Sequence, residues 1–270
     1  MEIRSLYKSV LAAMELASEV IMEVYQNDEI FSHTKQDGSP VTLADLESSK
    51  ILHRELAKTN LPILGEEAKK AAYDERKNWD YYWCIDPLDG TKEFLKRNGE
   101  FAINVALIHE HRAVFGAICS PITKEVILGG EDFGAFWSKL DGNYALNPIK
   151  RIENRNDVIT LIISRTHFNG LTEKFSEIMQ EKYGGFNYLG KGSALKFFDL
   201  ANGNADIYAR FGPTMEWDIA AGDAILRQLD GVIFDYETQK PLQYNKEDLY
   251  NPFFLALTKP LLADFPHEEN

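Results

Sequence analysis

The residues best suited to chemistry in this sequence form the segment Asp86-Pro87-Leu88-Asp89-Gly90-Thr91, which follows an apolar run. Its two carboxylates stand three positions apart across a turn, so both can converge on one small cavity, with the Leu88 carbonyl between them. Free amides at the start of a short helix over 92–97 can face a phosphate. Magnesium prefers hard oxygen ligands and keeps positions for water or phosphate. The segment therefore predicts a magnesium site, although a capped turn is an alternative while it stands alone.

Two more acidic segments stand at the ends of predicted elements. Leu64-Gly65-Glu66-Glu67 closes a short apolar strand, so one acid can point inward while the other meets solvent. Asp218 falls in the first turn of a predicted helix, where an acid also favours the helix dipole. The six histidines and two cysteines form no zinc pattern. Three acid-bearing ends in one chain favour a divalent-cation site over a chance turn cap.

The elements that must position these acids divide the chain into two parts. Helices are expected over 5–25 and 43–58, followed by crowded strands in what reads as an antiparallel sheet with helices on one side. After about residue 152 strands and helices alternate, which predicts an α/β lobe. The predicted strands are 62–64, 81–85, 101–108, 113–119, 125–128, 135–137, 158–163, 186–189, 206–209, 232–234 and 254–257, with later helices near 170–182, 193–202 and 216–229.

Composition limits the class of protein. A chain of 270 residues with 44% hydrophobic residues can bury a sizeable core. Its net charge of −13 argues against binding a nucleic acid polymer, but not against small phosphates bound through cations. Cys84 and Cys119 sit in apolar runs, as expected of reduced, buried thiols. With no signal peptide and no membrane-spanning run, we expect a soluble cytoplasmic protein; peripheral association with the inner membrane and the oligomeric state stay open.

In order and spacing, Glu66-Glu67, Asp86 to Thr91 and Trp217-Asp218-Ile219-Ala220-Ala221-Gly222 resemble the signature motifs of the inositol monophosphatase-like phosphatases, which are magnesium-dependent and lithium-sensitive. The segments 90–101, 192–197 and 210–214 look like the bacterial 3'(2'),5'-bisphosphate nucleotidase branch. The resemblance implies a layered αβαβα sandwich, α+β and α/β in character, of two closely packed lobes. Residues 1–152 would carry most metal ligands, and residues 153–270 would carry Asp218 and the nucleotide-recognition residues.

The same resemblance implies a centre of two or three magnesium ions. Glu66, Asp86 and the Leu88 carbonyl would hold one ion, and Asp86, Asp89 and Asp218 a second. Asp45 and Thr91, together with the ligand Glu66, would be catalytic, the first two by orienting and deprotonating the attacking water. From the residues alone, Thr42-Leu43-Ala44-Asp45 is equally compatible with a helix cap. The resemblance favours the catalytic interpretation.

Two other segments suggest where the substrate binds. Ser164-Arg165-Thr166-His167 ends a predicted strand, where α/β sheets commonly place ligands. Gly190-Lys191-Gly192-Ser193 precedes a helix and offers free amides to an anion, although it lacks P-loop spacing. By resemblance, the substrate-binding residues are Asp89, Gly90, Thr91, Ser164, His167, Ser193, Lys196 and Asp218.

The resemblance implies hydrolysis of adenosine 3',5'-bisphosphate (PAP) to AMP and phosphate, with the sulfated nucleotide PAPS as a second substrate. An inositol or sugar monophosphatase of the same superfamily is the nearest alternative. A haloacid-dehalogenase phosphatase is disfavoured because its two Asp are separated by one residue, whereas two residues separate Asp86 from Asp89. A non-enzymatic module that binds divalent metal is a further alternative.

Overall fold

The structure is a computed structural model that describes residues 2–35, 38–163 and 170–268. Its helices are α1 (Tyr7–Tyr25), α2 (Leu43–Leu56), α3 (Tyr73–Arg76), α4 (Thr91–Leu95), α5 (Gly170–Tyr183), α6 (Lys196–Asn202) and α7 (Glu216–Arg227). Its strands are β1 (Ser32–Thr34), β2 (Pro40–Thr42), β3 (Ile63–Gly65), β4 (Tyr81–Asp89), β5 (Ala102–His109), β6 (Arg112–Cys119), β7 (Glu125–Gly130), β8 (Gly134–Lys139), β9 (Asn147–Pro148), β10 (Ile159–Ile163), β11 (Phe186–Gly190), β12 (Ile207–Arg210), β13 (Val232–Asp235) and β14 (Phe254–Leu257).

The first sheet has seven strands in the order β3-β4-β5-β6-β7-β8-β9. Strand β3 runs parallel to β4, and the other neighbours pair antiparallel. In β5, Ile103 and Val105 pack into the cluster that contains α1 and α2, whereas Ala106 and Ile108 pack into the cluster that contains α7. Helices thus cover both faces. The prediction of helices on one side was wrong, because the continuous apolar run of β5 serves two buried faces.

The second sheet is mixed, with the order β11-β10-β12-β14-β13. Helices α6 and α7 lie between the two sheets, and α5 packs Phe175 and Met179 against the outer face of the second. The layers therefore run helix, sheet, helix, sheet, helix. This arrangement confirms the predicted two-lobed αβαβα class, while the boundary between 152 and 153 stays a prediction.

Several local features differ from the sequence predictions. The hairpin of β1 and β2, which pairs Ser32 with Thr42, was missed because each strand has only three residues and β1 is exposed. Helix α6 begins at Lys196 rather than 193. Both cysteines are free and buried, as predicted. Among the described residues, no helix is long and apolar enough to cross a bilayer.

Helix α7 lies close against the first sheet at Gly116 of β6. A Cβ added at Gly116 would lie 2.2 Å from the Ala221 carbonyl oxygen and 2.7 Å from its Cα. At the next residue of the helix, a Cβ at Gly222 would lie 2.3 Å from the Phe197 ring. Both contacts are closer than a side chain permits, so two glycines set the depth of α7 in the sandwich. Asp218 is on this helix, so its position depends on the same packing.

We expect Gly116→Ala to lower the free energy of unfolding by about 1–3 kcal/mol, because backbone must move to admit the methyl group. Urea unfolding followed by circular dichroism measures the change. Gly185→Ala is the matched control, since no atom lies within 4 Å of its added Cβ, and it should be neutral or slightly stabilising. Equal effects of the two substitutions would contradict this account of the packing.

Candidate active site

A bulge at the end of β4 presents the central carboxylates. The pairing of β4 with β5 runs regularly to Asp86 and then shifts before Asp89. The buried Asp86 carboxylate accepts the Leu88 amide at 3.0 Å, which fixes the local turn. The backbone then reaches Gly90 at a φ of 97°. A Cβ at Gly90 would lie 2.9 Å from the Glu100 carbonyl oxygen, so glycine alone fits this left-handed turn.

Glu66 enters the site from the end of β3, and its amide donates to the Ile85 carbonyl at 3.3 Å. Lys35, from the loop after β1, donates to the Glu66 carboxylate at 2.7 Å and also pairs with Glu67. Burial alone would lower the pKa of Lys35, but the charges and hydrogen bonds of Glu66 and Glu67 outweigh it and raise the pKa. Lys35 is therefore charged and is held at the acidic site by ion pairs with Glu66 and Glu67.

Asp218 comes from the first turn of α7, where its carboxylate accepts the Met215 amide at 2.9 Å. Single carboxylate oxygens of Glu66, Asp86 and Asp218 all lie within 4.8 Å of one another. At that separation each pair of full charges repels by roughly 3 kcal/mol at an effective dielectric near 20. Burial first, and the neighbouring carboxylates second, raise the pKa of Asp86 and Asp218 well above ordinary values.

Asp89 lies beside this group of three but outside it. Its carboxylate accepts the Ala194 amide at 2.5 Å. Burial raises the pKa of Asp89 to about 6, while the charge of Lys196 and the Ala194 amide oppose that rise. The buried Asn104, opposite Asp86 in the sheet register, also bonds Asp89. Asp89 thus connects the acidic site to the start of α6.

Asp45 takes part in two sets of hydrogen bonds at once. One carboxylate oxygen accepts the Thr42 amide at 2.7 Å and the Thr42 hydroxyl at 2.6 Å, which caps α2. The other oxygen accepts the Thr91 hydroxyl at 2.8 Å. That hydroxyl also lies 3.4 Å from the Leu88 carbonyl oxygen. The cap and the contact with the acidic site therefore coexist in one buried side chain.

The cleft beside Asp89 and Asp218 is lined by both acidic and cationic side chains. Besides these two carboxylates, its lining includes Glu93, Ser193, Lys196, Tyr208 and Arg210. Burial lowers the pKa of Lys196 to about 8, with the charge of Asp89 opposing and that of Arg210 reinforcing the shift. Lys196 donates to the Ser193 carbonyl at 2.7 Å and lies over the Tyr208 ring. Carboxylates that can hold a cation, together with two cationic side chains in the same cleft, suit a ligand with two anionic groups.

The structure brings together most of the site residues predicted from sequence, and their roles stay predictions. Ser164 and His167 lie outside the described residues. Three residues of the site were missed: Lys35, Asn104 and Arg210. Lys35 and Asn104 carry no motif of their own, but Arg210 stood in a segment already singled out by resemblance, and its charge was the overlooked signal. The residues brought to the site are Asp45, Glu66, Asp86, Leu88, Asp89, Gly90, Thr91, Ser193, Lys196 and Asp218.

The donor set fits magnesium. Glu66, Asp86 and Asp218 supply hard oxygen atoms, and the raised pKa values of Asp86 and Asp218 reflect their burial and the negative charge of neighbouring carboxylates. The only cation that contacts one of these three carboxylates in an ion pair, within the described part of the chain, is Lys35. A divalent cation would relieve the repulsion that burial and proximity create.

Comparison with known proteins shows the family to which this chain belongs. The model of the inositol monophosphatase family matches residues 2–265. The chain is 37% identical over 243 residues to the 3'(2'),5'-bisphosphate nucleotidase CysQ of Salmonella typhimurium, covering 88% of this chain and 94% of that protein. It is 34% identical over 268 residues to CysQ of Aggregatibacter actinomycetemcomitans, covering 98% and 96%.

Solved structures agree with the sequence matches. The crystal structure of CysQ from Bacteroides thetaiotaomicron superimposes with a TM-score of 0.84 at 35% identity, covering 96% of this chain and 98% of that one. An inositol monophosphatase/NADP phosphatase complexed with Mg²⁺ and phosphate superimposes with a TM-score of 0.77 at 17% identity, covering 96% and 93%. The second likeness concerns the fold alone.

Carboxylate repulsion predicts a stability that depends on metal and pH. Folding raises the pKa of Asp86 and Asp218, so the folded protein binds more protons and its metal-free stability falls as pH rises through those values. In EDTA at pH 8, Asp86→Asn should therefore raise the melting temperature, by about 2–4 °C per kcal/mol of repulsion removed. It should also abolish most of the stabilisation that magnesium gives the unsubstituted protein.

Differential scanning fluorimetry at pH 6 and pH 8, with EDTA or magnesium, measures both effects. Glu181→Gln on the exposed side of α5 is the control and should follow the unsubstituted protein in all four conditions. A lower melting temperature for Asp86→Asn in EDTA at pH 8 would contradict the repulsion argument.

Proposed function

Because the chain belongs to the inositol monophosphatase family, and within it to the CysQ branch, we propose that it is a magnesium-dependent 3'(2'),5'-bisphosphate nucleotidase. Its substrate is adenosine 3',5'-bisphosphate, which it hydrolyses to AMP and phosphate. The observation that carries the proposal is the cleft that joins carboxylates at Asp89 and Asp218 to cations at Lys196 and Arg210. The carboxylates suit a metal-bound phosphate, and the cations suit a second phosphate without metal.

The proposed metal ligands are Glu66, Asp86, Asp218, Asp89 and the Leu88 carbonyl, which together would hold two or three ions. Bound magnesium would supply positive charge to the scissile phosphate and lower the pKa of the attacking water. Oxygen atoms of Glu66, Asp86 and Asp218 lie within 4.8 Å of one another, which supports this ligand set. Asp89 would join them either by giving up the hydrogen bond from the Ala194 amide or by keeping it while also binding metal.

Asp45 and Thr91 would orient the attacking water and receive its proton. The Thr91 hydroxyl donates to Asp45, so its oxygen lone pairs stay available to accept from a water on the side of the Leu88 carbonyl. The two hydrogen bonds from Thr42 hold the Asp45 carboxylate in place. Asp45 therefore acts through Thr91, while its bonds to Thr42 fix the entrance to α2.

Lys196 and Arg210 would hold the 5'-phosphate of the nucleotide. Arg210 donates to the Pro213 carbonyl at 2.9 Å, which holds the guanidinium at the cleft wall. Arginine binds phosphate through charge-assisted and bidentate hydrogen bonds. Ser193, Lys196, Gly90 and the undescribed Ser164 and His167 complete the proposed substrate contacts. PAPS carries the same 3'-phosphate and is a second proposed substrate; a cytoplasmic location, with or without peripheral membrane association, belongs to the same proposal.

A phosphate-release panel tests the proposed function. With magnesium, the protein should hydrolyse PAP with a kcat/KM well above that for inositol 1-phosphate, and lithium should inhibit the reaction. Arg210→Met should lower kcat/KM for PAP by about 10–100-fold, because a hydrogen bond between charged groups contributes about 1.5–3 kcal/mol. For 3'-AMP, which lacks the 5'-phosphate, the same substitution should change kcat/KM little.

Preference for inositol 1-phosphate would assign the chain to the sugar monophosphatases instead. Tight metal binding without phosphate release from any of these compounds would favour the non-enzymatic module. Equal losses for PAP and 3'-AMP in Arg210→Met would remove Arg210 from recognition of the 5'-phosphate and leave the nucleotidase assignment standing.

Substitutions at Thr91 and Thr42 distinguish the proposed catalytic role of Asp45 from its role in capping α2. Thr91→Ala should lower kcat for PAP by about 100-fold or more, the usual contribution of a positioned acid–base group, with little change in melting temperature. Thr42→Ala should lower stability by about 1 kcal/mol through loss of the cap and leave kcat within a few-fold. Steady-state kinetics and thermal melts of both variants make the comparison. A larger kcat loss in Thr42→Ala than in Thr91→Ala would contradict it.

A further inference from the structure

A loop from the second half of the chain surrounds the beginning of α7. The Met215 and Tyr250 backbones form a bridge, and the Glu216 amide donates to the Leu249 carbonyl at 3.0 Å. The Asn251 side chain donates to the Met215 carbonyl at 2.6 Å. Asp218 follows two residues after Glu216. The position of this carboxylate is therefore governed by a contact network that the metal-site motifs do not include.

Glu216 is the centre of that network. It is fully buried, and its carboxylate accepts the Asn245 amide at 2.7 Å and the Lys246 amide at 3.0 Å. The Lys246 ammonium group donates to it at 2.6 Å. Asn245 adopts a φ of 65°, a left-handed conformation that asparagine tolerates better than most residues. Both backbone amides thereby turn toward one buried carboxylate.

Arg76 connects this loop to the other half of the chain. It is 3% exposed and donates to the Asn245 side-chain oxygen at 2.9 Å and to the Glu247 carbonyl at 2.8 Å. The Asn245 side chain donates back to the Arg76 carbonyl at 2.7 Å. Arg76 lies in the connection between Glu66 and Asp86, ten residues from each. The two-way bond between Arg76 and Asn245 therefore joins the chain segments that supply opposite sides of the acidic site.

The hydrogen bonds between Arg76 and Asn245 oppose the repulsion among the three carboxylates. Before metal binds, Glu66, Asp86 and Asp218 repel one another within 4.8 Å, so the favourable response of an unrestrained α7 would be to move Asp218 outward. The network holds the preceding turn of the helix through a buried carboxylate and a buried guanidinium. Ligands held in place before binding lose less freedom when metal binds, which raises affinity.

We propose that Arg76, Asn245 and Glu216 are positioning residues that keep Asp218 at metal-binding distance from Glu66 and Asp86. This inference rests on the metal site of the proposed function, but not on the identity of the substrate. If the hydrogen bonds of this network are removed, the protein should need a higher magnesium concentration for activity. Its kcat at saturating magnesium should be largely preserved.

The experiment compares Arg76→Met and Asn245→Gly with Tyr244→Phe. Asn245→Gly keeps the left-handed backbone and removes only the side-chain bonds to Arg76. Tyr244→Phe is the matched control: its neighbouring, fully buried hydroxyl donates to Asp223 at 2.9 Å, farther along the same helix. Isothermal titration of metal-free protein with magnesium gives the Kd directly, and magnesium activation curves with PAP give kcat separately.

Arg76→Met and Asn245→Gly should raise the magnesium Kd by about 10–100-fold, the usual effect of removing a group that orients a metal ligand, with kcat at saturating magnesium within about threefold. Tyr244→Phe should lower the melting temperature without changing the Kd. Arg76→Lys, which keeps the charge but only part of the two-way contact, should give an intermediate Kd and serves if Arg76→Met does not fold.

An unchanged magnesium Kd in Arg76→Met and Asn245→Gly, with melting temperatures lowered as in Tyr244→Phe, would overturn the proposal and leave the network a purely structural one. Equal rises in Kd for all three variants would overturn it as well. If the unsubstituted protein does not hydrolyse PAP while the Kd still rises as expected, the proposed substrate is wrong and the positioning role stands.

Discussion

Mutual repulsion among buried carboxylates is the constraint on which the rest of this structure depends. Glu66, Asp86 and Asp218 come from three separate elements, yet their oxygen atoms converge within 4.8 Å. Such a group costs free energy in the metal-free fold. The surrounding packing must therefore supply that free energy and prevent relaxation. The two covered faces of the first sheet and the glycine contact at Gly116 meet that requirement near Asp218.

The same constraint explains why helix ends and strand ends, rather than middles, carry the acids. Asp45 and Asp218 each accept a backbone amide at the beginning of their helices, and Asp86 accepts one within its turn. These bonds stabilise the ionised forms and oppose the burial that raises the pKa values. In Asp45 one carboxylate oxygen is occupied by the cap while the other accepts the Thr91 hydroxyl at the site. A side chain thereby has structural and chemical roles together.

Most strands and helices could be predicted from sequence because apolar periodicity is local. The burial of both faces of β5 could not be predicted, because a continuous apolar run does not indicate which elements cover each face. The central acids were found because they share a motif with a turn-forming glycine at Gly90. Lys35 and Asn104 were missed because only the pairing of distant segments brings them there. Arg76 is the extreme case, since its partners at 245–247 lie far along the chain.

The mixed lining of the cleft creates one physical asymmetry. Acids at Asp89 and Asp218 repel a phosphate until metal reverses their field, whereas Lys196 and Arg210 attract one at once. Under the proposed function, a bisphosphate would bind first by its remote phosphate and bring the second to the metal. A monophosphate would lack that anchor and depend on the metal alone. Discrimination would then come from the distance between two anionic groups, which the proposed positioning network would help to keep constant.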